Sequence, residues 1–147
     1  MTLIDIKKLT FIDYPLKTYD KIRYSDTDRQ GHVNNAVFSA FLETGRVEVL
    51  LHPEKPLSGL NGSFVIVNLN INLIAEIRWP GTIDIGTGIV KLGNSSIQMS
   101  QGLFQNEQLV ATAETVIVHV DNETKRSSPL TQEAKNFLTQ YLLKTEI

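Results

Sequence analysis

Between Val65 and Ile77 every odd-numbered position is apolar, in the order Val65, Val67, Leu69, Ile71, Leu73, Ala75 and Ile77, whereas Asn68, Asn70, Asn72, Glu76 and Arg78 fall on even ones. A period of two places each set on one side of an extended chain, so this segment predicts a half-buried strand. Pro80-Gly81 interrupts the run, and Ile83, Ile85, Thr87 and Ile89 resume the alternation as far as Gly93-Asn94, a turn dipeptide that predicts a hairpin. In the partner strand Ile97, Met99 and Leu103 alternate with Gln98 and Ser100. From Leu109 to Val120 β-branched residues occupy both faces, as expected of a strand packed on each side. Together these runs predict a long antiparallel meander, with Tyr19 to Tyr24 as a further strand.

A helical period covers Asn35 to Leu51, closed by Pro53 two residues later. Val37, Phe38, Ala40, Phe41, Leu42, Gly45, Val47, Val49 and Leu50 spread over most of its circumference, which predicts burial on several sides. Gly45 costs about 1 kcal/mol relative to Ala inside a helix, so its presence predicts a close backbone approach. A second helix fits Gln132 to Leu143, with Thr131 as N-cap. An apolar helix against a long antiparallel sheet is an α+β layout.

The 147 residues are expected to form a single domain. With no cysteine, the chain has no disulfide, thiolate metal site or cysteine nucleophile. Fourteen basic residues against 16 acidic ones, with no basic run longer than a pair, disfavour a dedicated nucleic-acid binder. The longest uninterrupted apolar run is Phe64 to Val67, so neither a membrane span nor a signal peptide is expected, and the expected location is the cytoplasm.

Polar chemistry concentrates in Arg23 to Asn35, where two carboxylates, an imidazole and two amides fall in the connection from strand to helix. Asp26-Thr27-Asp28 with Gly31 imitates the start of a calcium loop, but the fifth position is Gln30 and the twelfth, where a bidentate Glu is needed, is Val37. His32, His52 and His119 are dispersed, with no His-Glu-x-x-His pattern, so no metal is expected. Asn34 or Asn35 caps the helix, a role that does not require His32. The N–H groups at a helix start can polarise a carbonyl and hold developing negative charge, and a carboxylate in the preceding loop is placed to attack. Asn35, Ser39, Glu43 and Arg46 draw one polar stripe down the helix to that end, although Glu43 and Arg46 also suit an internal ion pair.

The string Asp26-Thr27-Asp28-Arg29-Gln30-Gly31-His32-Val33-Asn34-Asn35, followed by Phe41-Leu42-Glu43 and Arg46, resembles the signature of hotdog-fold acyl thioesterases of the 4-hydroxybenzoyl-CoA thioesterase type, related to acyl-ACP thioesterases. Trp79-Pro80-Gly81, Ile83-Asp84-Ile85 and Lys91 to Ser96 match that family's second half in order, so the resemblance covers roughly residues 18 to 130. It implies a hotdog fold, a long central helix wrapped by about five antiparallel strands; the C-terminal helix, over about residues 131 to 145, follows the matched region. The implied activity is hydrolysis of an acyl-CoA or acyl-ACP thioester, with no cofactor. Asp28 corresponds to the catalytic aspartate, as nucleophile or general base, and the backbone N–H near Asn35 to the thioester-polarising donor. His32, Asn34, Asn35 and Glu43 are the supporting candidates, and Phe38, Lys91, Ser96, Lys125 and Arg126 the substrate-binding ones. Gln30 stands where the acyl-ACP branch has asparagine, and the chain lacks the His-Gly-Gly-type loop of the sister group whose acid comes from the helix, so Asp28 ranks above Glu43. The resemblance further implies a homodimer with composite active sites, often paired into a homotetramer. A hotdog protein that binds acyl thioesters without turnover is the alternative.

Overall fold

A computed structural model describes residues 5–144. In chain order the elements are β1 (Leu16–Ile22), α1 (Asn35–Leu50), β2 (Gly62–Leu73), β3 (Gly81–Leu92), β4 (Ser96–Gln105), β5 (Gln108–Asp121) and α2 (Gln132–Thr139). The strands make one antiparallel sheet in the order β1-β3-β4-β5-β2. The α+β class therefore stands, but the meander is confined to β3-β4-β5. β2 pairs with β5 at the far edge, so the connection after it crosses the sheet to β3 instead of turning a hairpin.

The regular alternation that predicts β2 is broken by a bulge. Its register against β5 shifts between Ile66 and Asn68, leaving Val67 as the extra residue. Before the shift Phe64 and Ile66 lie opposite His119 and Ile117; after it Leu69, Ile71 and Leu73 lie opposite Thr115, Ala113 and Ala111. Opposed residues share a face, so the inward set changes from even to odd positions and Val65 joins the outer face beside Val118. The expectation of a half-buried strand is corrected as well. Val65, Ile66, Val67, Leu69 and Leu73 are all exposed, because β2 is an edge strand. Ala75 and Ile77 lie beyond its end.

α1 is 16 residues long, starts where the side chain of Asn34 accepts the Ala36 N–H at 3.0 Å, and packs on one face of the sheet. Phe38, Phe41, Leu42, Gly45, Arg46, Val49 and Leu50 form its buried stripe, while Ala36, Ala40, Glu43, Val47 and Glu48 are exposed. Burial is thus one-sided, not all round. At Gly45 the expected close approach is present: an added Cβ would fall 2.7 Å from Gln101 Nε2, 2.8 Å from Thr87 Oγ1 and 2.9 Å from Ile85 Cγ2. The Gln101 amide donates to Leu42 O and Thr87 Oγ1, both at 3.0 Å, and its Oε1 accepts from the buried Arg46 guanidinium at 3.4 Å. A polar knot therefore joins helix to sheet inside an otherwise apolar layer.

The opposite face is covered by the chain's own end segments. Tyr14 lies over Gly86 and Gly102, and Leu143 over Gly88, positions where a Cβ would collide with those side chains. α2, capped by Thr131, ends at Thr139 and not near residue 143 or 145. The chain leaves the helix because β1 stops opposite Thr87 and the edge of β3 beyond it needs partners. Ile89 N donates to Tyr141 O at 2.9 Å, and Leu143 N donates to Ile89 O at 2.8 Å.

Burial pushes the Tyr14 phenol up to about 12 against a smaller lowering by the neighbouring Ser100 hydroxyl, with which it makes no well-formed hydrogen bond: both hydroxyls are buried without a partner among the described residues. A pKa raised on folding stabilises the native state fully below the unfolded value of about 10 and is lost as pH climbs through the folded one. Stability is therefore expected to fall between about pH 10 and 12, and Tyr14→Phe to abolish that portion of the loss. Removing an unpartnered buried hydroxyl should also leave the neutral-pH stability equal or higher, by roughly 1 kcal/mol at most. Urea unfolding of both proteins across that pH range measures the difference.

Candidate active site

The polar segment between β1 and α1 separates its two carboxylates by burial. Asp26 is only 3% exposed. Its carboxylate accepts from Arg23 N at 2.8 Å and from the Arg23 guanidinium at 3.1 Å, while its carbonyl accepts Asn34 N at 2.8 Å. Asp26 thus holds the loop together, and Asp28 is the exposed carboxylate. Asp28 sits at the head of a tight reversal: its N–H donates to His32 O at 2.8 Å, and its carbonyl accepts Gly31 N at 3.2 Å. That pattern is a four-residue turn followed by a bulge, which needs a left-handed residue at Gly31, where φ is 85°. Gln30 N donates to Asp28 Oδ1 at 2.8 Å, leaving the second carboxylate oxygen for chemistry.

The reversal docks on the segment that follows β2. Val33 N donates to Ile77 O at 2.8 Å, and His32 forms an isolated bridge with Arg78. Between the two lies an open cavity of about 300 Å³, with Asp28, His32, Asn35 and Phe38 on one side and Leu73 and Glu76 on the other. It holds a free carboxylate, the first residue of α1 and apolar surface in one concavity. The Asn35 N–H has no acceptor available within its own helix, so this wall offers a donor as well as an acid.

The remaining candidates divide. Asn34 is the N-cap, and Phe38 lines the cavity. His32 meets Asp28 through backbone only; its Nε2 lies 3.3 Å from Glu76 Oε1. Glu43 lines a different, smaller cavity of about 110 Å³ with Arg46, Leu50, Phe64, Ile66 and Ile117, and forms no ion pair with Arg46 within 4 Å. Burial holds the Arg46 guanidinium below its ordinary value, and the Glu43 charge acts in the opposite direction. Lys91, Ser96, Lys125 and Arg126 do not line this cavity. They cluster where β3 ends, β4 begins and β5 has ended, whereas the cavity adjoins the Gln105 end of β4, about 30 Å away along that strand. Among the described residues no group of three His, Cys, Asp or Glu is placed to hold a metal ion. No helix there is long and apolar enough to cross a membrane.

Glu76 escaped the sequence reading. Its Oε2 accepts from the Arg78 guanidinium at 2.9 Å while Oε1 faces His32. The only signal was an acid two residues before an arginine at the end of an alternating run, which any exposed strand end can carry.

Comparison with known proteins supplies the context. A model of the thioesterase-like superfamily matches residues 22–138. The long-chain acyl-CoA thioesterase FadM of Escherichia coli strain K12 is 30% identical over 129 residues, which cover 85% of this chain and 98% of that protein. The crystal structure of the PA5185 protein from Pseudomonas aeruginosa strain PAO1 superposes with a TM-score of 0.84 at 26% identity, covering 93% of this chain and 98% of that one. A thioesterase from Thermus thermophilus, solved in complex with coenzyme A and Zn, gives a TM-score of 0.72 at 25% identity over 85% of this chain and 98% of that one.

Proposed function

The chain belongs to the thioesterase-like superfamily and is a thioester hydrolase, and on that premise we propose that it cleaves acyl-CoA with Asp28 as the catalytic carboxylate. The observation that carries this reading is the pairing, in one cavity, of an exposed carboxylate held by a single backbone N–H with the start of α1. A thioester carbonyl laid against the Asn35 N–H would gain a donor where negative charge develops in the transition state. Asp28 then acts by one of two balanced routes. It attacks the carbonyl carbon, expelling the thiolate and forming an acyl anhydride that water opens; or it takes a proton from water as that water attacks. Each route consumes one water and yields the acid and the thiol. Phe38 and Leu73 supply apolar surface for the acyl group.

Thiol release from a panel of acyl-CoAs, with an acyl-carrier-protein thioester alongside, tests the assignment. Saturable binding with no thiol released would favour the non-catalytic acyl-binding alternative.

The hotdog reading takes α1 as the helix enclosed by the sheet, and in this proposal closure is completed by a second copy. β2 exposes a free strand edge with the apolar Val67, Leu69 and Leu73 along it, the last of them lining the cavity. Two such edges joined about a two-fold axis would extend the sheet and bury that surface. Pairing of two dimers would give the tetramer. The same two-fold is the route by which Lys91, Lys125 and Arg126 could reach coenzyme A phosphates, in the partner's site rather than their own. Alanine at all three positions is expected to raise the KM for acyl-CoA several-fold while kcat is retained. An unchanged KM would remove these cations from the carrier site.

A further inference from the structure

We propose that Glu76 is a positioning residue of this active site, facing His32 with one carboxylate oxygen and holding Arg78 on the other so that the reversal carrying Asp28 stays locked to the segment that follows β2. The inference rests on the reading of Asp28 as the catalytic carboxylate and adds a residue that neither the motif nor the sequence comparison singles out. Its contacts are His32 Nε2 at 3.3 Å and Arg78 Nη2 at 2.9 Å. Both partners belong to segments already joined by backbone, through the His32–Arg78 bridge and the Val33 N–H to Ile77 O bond of 2.8 Å. Arg78 is itself pinned from the sheet. Its N–H donates to Gln105 Oε1 at 3.0 Å, and its carbonyl accepts from Gln105 Nε2 at 2.6 Å. The path from β4 to Asp28 therefore runs Gln105, Arg78, Glu76, His32, and then the His32 carbonyl that accepts the Asp28 N–H at 2.8 Å.

Exposure decides what this carboxylate is for. Glu76 and Arg78 are both more than half exposed, and ion pairs in that setting contribute little to stability. Placement of a reacting group, in contrast, is sensitive to displacements of about 1 Å. Removing the charge of Glu76 should therefore reach turnover without reaching the fold. A glutamine at position 76 keeps one acceptor for Arg78 and turns its N–H₂ toward His32 Nε2, so the charge is removed from this link and the ring must act as acceptor to keep the contact. Glutamine at position 32 can present either an oxygen or an N–H₂, so it pairs with Glu76 as donor and with Gln at 76 as acceptor.

The experiment measures kcat, KM and thermal midpoint for Glu76→Gln, His32→Gln, the double variant and Asp28→Asn, with the most active acyl-CoA. Glu76→Gln is expected to lower kcat about tenfold, with KM within about twofold and the midpoint within about 2 °C. His32→Gln alone should lose no more than about threefold, and in the double variant it should restore part of the kcat lost to Glu76→Gln. Full kcat in Glu76→Gln, a midpoint that falls with the rate, or a double variant no better than Glu76→Gln would each overturn the positioning role. Those results leave the Asp28 reading intact as long as Asp28→Asn is inactive. An active Asp28→Asn overturns both.

Discussion

Asp28→Asn is expected to lower turnover by a factor of hundreds or more, which corresponds to at least about 3 kcal/mol of lost transition-state stabilisation. Its fold and oligomeric state should be unchanged, for a reason visible in the loop. The one bond made by the Asp28 side chain is accepted by Oδ1 from Gln30 N at 2.8 Å, and an asparagine Oδ1 accepts it equally well. What asparagine lacks is a charged oxygen able to attack a carbonyl or receive a proton. Initial rates of thiol release, with circular dichroism and sedimentation on the same preparations, check both halves of the expectation. Near-wild-type turnover by the folded variant would exclude Asp28 as nucleophile and as base. In a single turnover of the wild-type protein in ¹⁸O water, acid released without label identifies an anhydride opened at the Asp28 carboxyl carbon, because base-assisted attack always places the water oxygen in the acid.

The largest expected loss of stability comes from Gly45→Val. A branched side chain at this position meets Gln101, Thr87 and Ile85, none more than 2.9 Å from the first added carbon. All three are fully buried between helix and sheet, and moving Gln101 breaks its bonds to Leu42 O and Thr87 Oγ1. Overpacking of a core costs roughly 1–3 kcal/mol and occasionally more. With the hydrogen-bond loss, about 3 kcal/mol and a fall in thermal midpoint of about 10 °C are expected. Gly31→Ala is the matched control. Nothing lies within 4 Å of its added carbon, so it meets backbone strain alone, at φ 85°, and should cost about 1 kcal/mol. A Gly45→Val protein that unfolds within about 2 °C of wild type would show that helix and sheet are not in the contact described.

These two glycines mark how far the residues themselves could be read. Gly45 announces a close approach because glycine is costly in a helix, and Asn34 and Thr131 announce helix starts because their side chains satisfy backbone donors locally. Such signals lie within a few residues of what they determine. The bulge at Val67 has no such signal: an extra residue in one strand is defined only against its partner, so the clean alternation from Val65 to Ile77 could not show that the inward face changes within the strand. Strand order is non-local in the same way. Nothing in Pro80-Gly81 distinguishes a hairpin from a crossing of the sheet. In the candidate site, the choice of Asp28 over Asp26 came from resemblance, and the structure adds a physical reason in the burial of Asp26. Glu76 was hidden because its partners come from a loop far earlier in the chain and from its own strand end.

The pairing of residues 141–143 with Ile89 has a kinetic consequence. The Ile89 amide is sequestered by the carbonyl of Tyr141, far downstream, rather than by a neighbouring strand of the sheet. Its exchange with deuterated solvent should therefore report undocking of the C-terminal segment, a small local opening, while amides bonded between β4 and β5 wait for the whole sheet to open. Deuterium would thus enter β3 unevenly, earlier at Ile89 than at the amides bonded to β4.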